Sequence, residues 1–184
     1  MYFVISGPSA SGKSTVVKHL KRSDLALHFP VSATTRALRA GEDINGVTYW
    51  FFTEQEFNQK IREGAFLEFV KLEHSYGTLW DEVKKVQGSN VLLELDVQGA
   101  LKIRELFPDM SVLIFVAPPS MDELRRRLVC RKDGMGTEEQ QKRMERALRE
   151  MAFIQEYDHV VVNDDLEKCE EEVYNIIAQH LRKQ

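Results

Sequence analysis

The sequence contains few of the features that mark secreted, membrane-spanning or low-complexity proteins. Only two cysteines, Cys130 and Cys169, occur among its 184 residues, and neither has a His or Cys neighbour at metal-ligand spacing. Two isolated thiols are typical of a reducing compartment. No apolar run approaches the roughly 18 residues that a membrane span requires. Because the chain starts directly on a strand-like segment, a signal peptide is not expected, and we predict a cytoplasmic protein.

The chain also lacks an excess of positive charge. The chain has 25 Lys and Arg against 29 Asp and Glu, which is a formal net charge of −4. Bulk attraction to nucleic acid or to an anionic membrane is therefore not expected. The length favours one domain, large enough to bury roughly 70% of its unfolded surface without disulfides or metals.

The most specific pattern present is G-x-x-x-x-G-K-S at residues 7–14, which we call the phosphate loop. It lies between the apolar run at residues 2–5 and a helix-forming stretch, the context in which backbone N–H groups and a helix N-terminus cradle phosphates. Lys13 is expected to reach the β and γ phosphates, and the Ser14 hydroxyl to help hold Mg²⁺. The alternative is a chance Gly/Ser turn ahead of a helix. The pattern favours binding of a nucleoside triphosphate.

Short apolar segments alternate with helical patterns along most of the chain. Strands are predicted at residues 2–6, 91–96, 112–116 and 160–162. One helix is predicted after the phosphate loop, to about Arg22, and a second from a capping box at Thr53 to about Arg62. Further helices are predicted from Ser120 to about Cys130, over 138–156, and from Asp165 to near Arg182. This alternation predicts an α/β fold, a parallel sheet with helices on both faces. Residues 33 to about 82 interrupt it and indicate an inserted lobe with its own small mixed sheet.

Polar side chains in the inserted lobe are suited to a nucleotide. Arg36 and Arg39 lie three apart beside small hydroxyls, and guanidinium groups grip phosphate bidentately. Tyr49 and Tyr76 would add phenolic donors to the same anion. Glu68 interrupts an apolar run, and its carboxylate suits two adjacent donors such as N1–H and N2–H₂ of guanine. For the two arginines the alternative is a solvated charged loop. For the two tyrosines it is half-buried aromatic packing, and for Glu68 it is a solvent-facing position on a strand.

Charged residues elsewhere also fit phosphate chemistry. Glu94 and Asp96 end a buried strand, where acids typically act on Mg²⁺ waters or on substrate. Arginines flank a glycine-containing loop at residues 132–136, and they are either a solvated helix face or a lid that brings guanidinium groups onto a transferring phosphoryl group.

Taken together, these motifs resemble those of the guanylate kinase family. The matches run in family order over nearly the whole chain: 7–15, 32–36, 39–42, 66–68, 76–78, 96–99, 117–120 and 162–165. The resemblance implies transfer of the γ-phosphoryl group of ATP, with Mg²⁺, to GMP and also dGMP, in purine metabolism. It implies a core (1–31, 83–123 and 156–184), a GMP-binding lobe (32–82) and a helical lid (124–155). A monomer or small homo-oligomer is expected.

The resemblance also implies roles for individual residues. ATP would be bound by Gly7, Pro8, Ser9, Ala10, Ser11, Gly12, Lys13, Ser14 and Thr15, with Asn163 and Asp164 bordering the adenine. The GMP phosphate would be held by Arg36, Arg39, Tyr49 and Tyr76, and guanine would be read by Ser32, Glu68, Thr78 and Asp96. Lys13, Arg36, Arg131 and Arg143 would serve the transfer, and Ser14 the metal.

The chain departs from the family pattern in a few places. Ala10 replaces a glycine common in the family's phosphate loop, so a positive φ at this position would cost stability. Leu38 stands where proline is usual, and one extra residue lies between Glu42 and Gly46. The stretch 73–75 is one residue short, which affects the placement of Tyr76, and the loop at 132–136 is one residue long.

Other functions remain open from the sequence. The D-x-x-G pattern at Asp96–Gly99 also occurs in GTPases, but no N-K-x-D guanine motif accompanies it. Domains of this kind also serve as non-catalytic peptide-binding scaffolds, which typically lose the phosphate loop that is complete here. A kinase for another monophosphate or a sugar phosphate is the remaining alternative, against which Glu68, Thr78 and the two-arginine motif argue.

Overall fold

The computed structural model describes residues 1–38, 46–86, 88–130 and 137–183. The strands are β1 (Tyr2–Ser6), β2 (Leu27–His28), β3 (Ser32–Thr34), β4 (Trp50–Phe51), β5 (Phe66–Lys71), β6 (Ser75–Leu79), β7 (Asn90–Glu94), β8 (Ser111–Ala117) and β9 (His159–Val162). The helices are α1 (Lys13–Leu20), α2 (Glu54–Arg62), α3 (Trp80–Lys84), α4 (Val97–Leu106), α5 (Met121–Val129), α6 (Thr137–Met151) and α7 (Leu166–Leu181). Strands and helices alternate as predicted along most of the described chain, and the structure adds α3 and α4, for which the sequence analysis predicted no helix.

A five-stranded sheet has the order β2-β7-β1-β8-β9, and the pairs β2–β7, β1–β8 and β8–β9 are parallel. All seven residues of β8 are buried, and Phe3, Val4 and Ile5 of β1 are fully enclosed. Strands that are buried on both faces have unbroken apolar sequences, which is why these strands could be predicted from the sequence. Helices α1 and α7 pack against each other, and α4 packs on β1 and β8. The predicted α/β fold with a parallel sheet is confirmed.

A second, four-stranded sheet has the order β4-β3-β6-β5. Its β3–β4 pair is parallel, whereas β3–β6 and β5–β6 are antiparallel, so the predicted small mixed sheet is present. Ala33, Phe57 and Phe66 form the core beneath it, with Phe57 contributed by α2. Helix α2 starts with the predicted capping box, in which Thr53 and Glu56 each accept from the other's backbone N–H.

The chain divides into two compact units, residues 1–25 with 93–184, and residues 26–92. The first contains the phosphate loop and α4 to α7. The second contains the four-stranded sheet, and β7 runs from it into the first unit. Within the described ranges, no helix has both the length and the apolarity needed to cross a membrane.

One predicted helix is too long. The pattern over 138–156 predicts a continuous helix, but α6 ends at Met151 and a short 3₁₀ helix covers Ile154–Glu156. Between them the N–H groups of Ala152 and Phe153 bond three residues back instead of four. Such tightening is common in the last turn of a helix, and the helical sequence pattern does not distinguish it from a continuing α-helix.

Candidate functional site

The phosphate loop joins β1 to α1 through backbone positions that require glycine. Gly7 has a φ of 138°, and a Cβ added there would lie 2.3 Å from the Val116 carbonyl oxygen. Gly12 has a φ of 103° and stands directly before α1, with no side-chain hydrogen bond capping the helix. The N–H groups at a helix start are the ones left without intrahelical partners, and they favour an anion. The local geometry is that of an anion cradle.

Ala10 lies in this loop with a left-handed backbone. Its φ of 66° makes it the non-glycine residue with positive φ in the described part of the chain. Its methyl group packs against the cluster of Leu124, Leu128 and Ala147 contributed by α5 and α6. The substitution of the family's usual glycine therefore carries both a backbone cost and a packing gain.

We expect Ala10→Gly to raise the free energy of unfolding by about 0.5 kcal/mol. Relief of a left-handed alanine contributes about 1 kcal/mol, and roughly half of that is lost with a partly buried methyl group. Gly64→Ala is the matched control, since Gly64 has a φ of 64° and nothing lies within 4 Å of its added Cβ. Urea unfolding should show Gly64→Ala destabilised by about 1 kcal/mol. An Ala10→Gly variant less stable than wild type would mean that the packing outweighs the strain.

The Lys13 side chain folds over the phosphate loop. Its Nζ donates to the carbonyl oxygens of Gly7, at 2.6 Å, and Pro8, at 2.8 Å. Both acceptors are neutral carbonyls at the start of the loop, so the ammonium group stands beside the cradle. A cation so placed can neutralise phosphate charge.

Ser14 and Glu94 meet at the end of β7. The Ser14 hydroxyl donates to Glu94 Oε1 at 2.6 Å, and both side chains are exposed. A hydroxyl and a carboxylate oxygen beside a phosphate cradle are ligands that Mg²⁺ accepts, with water and substrate phosphates completing its shell. In the described ranges, no group of three or more His, Cys, Asp or Glu side chains could hold a metal by itself. The Ser14 hydroxyl and the Glu94 carboxylate fit a metal that arrives with a nucleotide, because phosphate oxygens and water would complete its shell.

Asp96 follows β7 and caps α4, where its Oδ1 accepts from the Gly99 N–H at 2.8 Å. Its Oδ2 accepts from Arg146 Nη2 at 3.1 Å, and Arg146 Nε donates to Glu150 Oε1 at 2.7 Å. Burial raises the pKa of the Glu150 carboxyl, and the positive charges of Arg146 and Lys13 oppose that shift. These contacts connect α6 to the carboxylate of Asp96, for which the family resemblance implies a contact with guanine.

Asn163 directly follows β9 and contacts the phosphate loop. Its side chain is 5% exposed, and Nδ2 donates to the Ser11 carbonyl oxygen at 2.7 Å. Asp164 is exposed directly after it. Of the residues assigned to ATP, the structure thus brings Asn163 into contact with the loop itself.

Three of the predicted guanine readers lie side by side across the four-stranded sheet. Ser32 of β3 pairs with Thr78 of β6, and Thr78 pairs with Glu68 of β5. Residues directly opposite in antiparallel pairs share a face. Thr78 is fully buried and Glu68 is 6% exposed, and the Thr78 hydroxyl has no hydrogen-bond partner in the described structure. Buried polar groups normally have partners, so such a hydroxyl favours a ligand at this face.

The predicted phosphate-binding residues of the second unit lie near the same face. Tyr76 is two residues from Thr78 on β6 and therefore shares its face. Its ring centroid is 6.3 Å from that of Tyr49, and the Arg36 guanidinium carbon lies 5.4 Å from the Tyr49 centroid. Arg36 is 9% exposed and donates to the Ala37 carbonyl oxygen at 2.7 Å. One guanidinium and two phenols are thus grouped within this unit.

Some predicted residues lie outside the described residues: Arg39, Arg131 and the loop at 132–136. Arg143 lies half-buried on α6, and Thr15 is exposed in the first turn of α1. Glu150 and the contact of Arg146 with Asp96 were not predicted. Their only sequence signal is the Arg-x-x-x-Glu spacing on α6, which is common on solvated helices.

Comparison with known proteins shows the family of the chain. The family model described as guanylate kinase matches residues 2–180. The chain is 45% identical over 181 residues to the guanylate kinase of Caldanaerobacter subterraneus, covering 96% of this chain and 86% of the relative. It is 40% identical over 188 residues to the guanylate kinase of Bacteroides thetaiotaomicron, covering 98% of this chain and 90% of the relative.

A solved structure is similar as well. The crystal structure of guanylate kinase from Anaplasma phagocytophilum superposes with a TM-score of 0.77 at 30% sequence identity. The match covers 98% of this chain and 85% of that one. The family model, the curated relatives and the solved structure agree, and the chain belongs to the guanylate kinase family.

Proposed function

We propose that this protein transfers the γ-phosphoryl group of ATP to GMP, and also to dGMP, forming ADP and GDP or dGDP. The observation that carries the proposal is the register of Ser32, Thr78 and Glu68 on one sheet face, in a chain with a complete phosphate loop. Family membership supports it.

In the first unit the phosphate loop would bind ATP. Backbone N–H groups before α1 and the Lys13 ammonium would neutralise negative charge on the ATP phosphates. The reaction needs no general base, because the acceptor oxygen is already anionic. When bound, Mg²⁺ would neutralise the ATP phosphates, held through Ser14 and through water near Glu94. Arg131 and Arg143 of the proposed lid, residues 124–155, would add guanidinium groups to the transferring phosphoryl group.

In the second unit the proposed acceptor site is built for GMP. Arg36 and Arg39, with the phenols of Tyr49 and Tyr76, would hold its phosphate. The carboxylates of Glu68 and Asp96 would accept hydrogen bonds from guanine, and the hydroxyls of Ser32 and Thr78 would donate or accept. This assignment gives the acceptor's phosphate and its base to different side chains, which all belong to the lobe at residues 32–82 except Asp96.

The transfer step itself needs alignment more than acid–base chemistry. A phosphate oxygen of GMP, already anionic, forms the new bond to the γ-phosphorus. The bond from that phosphorus to the β–γ bridging oxygen breaks, and ADP carries away the electron pair. Positioning and charge neutralisation supply the rate. We also place this activity in the cytoplasm and in purine nucleotide metabolism.

An acceptor panel tests the proposal. The protein is incubated with ATP and Mg²⁺ and separately with GMP, dGMP, AMP, CMP, UMP or TMP, and ADP formation is followed. Rapid turnover is expected with GMP and dGMP only, and hardly any phosphate release without an acceptor. Equal rates with AMP would contradict the guanine assignment, whereas phosphate release from GTP without an acceptor would favour a GTPase.

A further inference from the structure

Asn163 donates one hydrogen bond from its backbone N–H and another from its side-chain amide. Its N–H donates to the Ala117 carbonyl at 2.8 Å, which continues the β8–β9 pairing, and its side-chain amide donates to the Ser11 carbonyl at 2.7 Å. A Cβ added at Gly12 would lie 2.1 Å from Asn163 Nδ2. The amide therefore packs directly against the peptide that joins Ser11 to Gly12, in a space that only glycine leaves.

Arg127 of α5 reaches the same residue from the other side. Its Nη2 donates to the Asn163 carbonyl oxygen at 2.9 Å, while its Nε donates to Glu123 Oε1 at 2.8 Å. Arg126 and Arg127 together lower the pKa of the Glu123 carboxyl to about 2, so the acid is ionised at neutral pH. The Arg127 guanidinium is thus held by Glu123, one turn back on the same helix, while it bonds to Asn163.

The contact at Ser11 has a geometric consequence for the loop. A carbonyl and the N–H of the next residue point to opposite edges of one trans peptide plane. Holding the Ser11 carbonyl toward Asn163 therefore directs the Gly12 N–H to the opposite edge, away from Asn163. Anion-binding loops depend on such N–H groups converging on the phosphates.

We propose that Asn163, braced by Arg127 and Glu123, is a positioning residue that keeps the phosphate loop in its anion-binding form. The inference rests on the proposed function, because it assumes that this loop binds the ATP phosphates. It differs from the role that family resemblance implies for Asn163, which is to border the adenine. The two roles make different predictions for a ligand that has phosphates and no base.

The first experiment compares Mg²⁺–ATP with Mg²⁺–tripolyphosphate, using calorimetry on wild type and Asn163→Ala. The dissociation constants of both ligands should rise about tenfold, the size expected when a buried carbonyl loses its donor. In steady-state kinetics, the KM for ATP should rise while the KM for GMP stays unchanged. Unchanged binding of both ligands overturns the proposal. Weaker binding of ATP with unchanged tripolyphosphate binding also overturns it, in favour of an adenine contact.

The second experiment uses two adjacent arginines as a matched pair. Arg126 and Arg127 both pair with Glu123, but Arg126 is 67% exposed and Arg127 is the one that bonds to Asn163. Arg127→Ala should weaken tripolyphosphate binding about threefold or more, as expected for one lost hydrogen bond, and Arg127→Lys should restore part of it. Arg126→Ala should stay close to wild type. Equal effects of the two alanine variants would overturn the bracing role. If Asn163→Ala does not fold, the comparison of the two arginine variants tests the proposal in its place.

Wild-type controls keep the two proposals separate. A wild-type protein that binds neither ATP nor tripolyphosphate contradicts the proposed function itself. A wild-type protein that phosphorylates GMP, with variants that bind tripolyphosphate normally, contradicts only the positioning role of Asn163.

Discussion

Lys13→Ala should lower kcat by about 10²-fold or more, the loss typical of removing one preorganised charge-stabilising group. In the structure the ammonium group is held at the mouth of the cradle by the carbonyls of Gly7 and Pro8. It is therefore in place before the phosphates arrive and needs no costly reorganisation. Because negative charge develops on the oxygen of the breaking β–γ bond in the transition state, the loss should fall mainly on kcat and less on substrate binding.

Steady-state kinetics at saturating ATP and GMP measure this effect. Lys18→Ala is the matched control, since Lys18 lies exposed on the same helix and carries the same charge. It should keep wild-type kcat within about twofold, as expected for a surface substitution. Thermal unfolding of both variants checks that the loop change leaves the fold intact. A folded Lys13→Ala protein with near wild-type kcat would rule out the transfer role of Lys13.

Glu68→Gln should lower kcat/KM for GMP by about 10²-fold or more. The variant keeps the shape of Glu68 but removes its charge, and it turns an N–H₂ group toward a guanine donor. Charge-assisted hydrogen bonds contribute roughly 1.5–3 kcal/mol each. The Glu68 side chain is buried beside Thr78, so a donor that faces another donor there cannot form a hydrogen bond with water instead. Adenine offers an acceptor where guanine has N1–H, which is why the carboxylate should reject AMP.

The KM for ATP should barely change in Glu68→Gln, because Glu68 belongs to the second unit and the phosphate loop to the first. Glu63→Gln is the control, an exposed carboxylate of the same unit that loses the same charge. Kinetics with GMP and AMP compare the three proteins. Turnover of GMP by Glu68→Gln within threefold of wild type would make Glu68 an ordinary strand residue.

The phosphate loop could be located from sequence because its geometry is local. Gly7, Gly12, Lys13 and Ser14 are set by a strand, a turn and a helix that follow one another without a break. The expected cost of Ala10 was also local, since a glycine position in a tight turn implies a positive φ, and the structure has 66° there.

The register that aligns Ser32, Thr78 and Glu68 could not be predicted from pattern alone. Strand β6 reads Ser-Tyr-Gly-Thr-Leu, with no apolar alternation to mark it. Its glycine is explained only by the pairing, because a Cβ at Gly77 would lie 2.8 Å from the Glu68 carbonyl oxygen. Ser32 and Thr78 were assigned by family resemblance and Glu68 also by its carboxylate in an apolar run, but their alignment across three strands depends on long-range pairing.

The contacts of α6 were hidden for a related reason. Arg146 and Glu150 look like an ordinary solvated pair at i, i+4 spacing. Only the fold brings Asp96, some 50 positions earlier in the chain, to the same guanidinium group. Side chains that act across distant segments leave no spacing rule in the sequence.

The central claim is that phosphate moves from ATP to GMP, and the most direct measurement follows that phosphate. The wild-type protein is mixed with Mg²⁺, GMP and ATP labelled at its γ-phosphorus, and the labelled products are separated over time. We predict that the label appears in GDP, with one ADP formed for each GDP and almost none as inorganic phosphate. Label recovered only as inorganic phosphate, or retained in ATP while GMP is bound, would contradict the account.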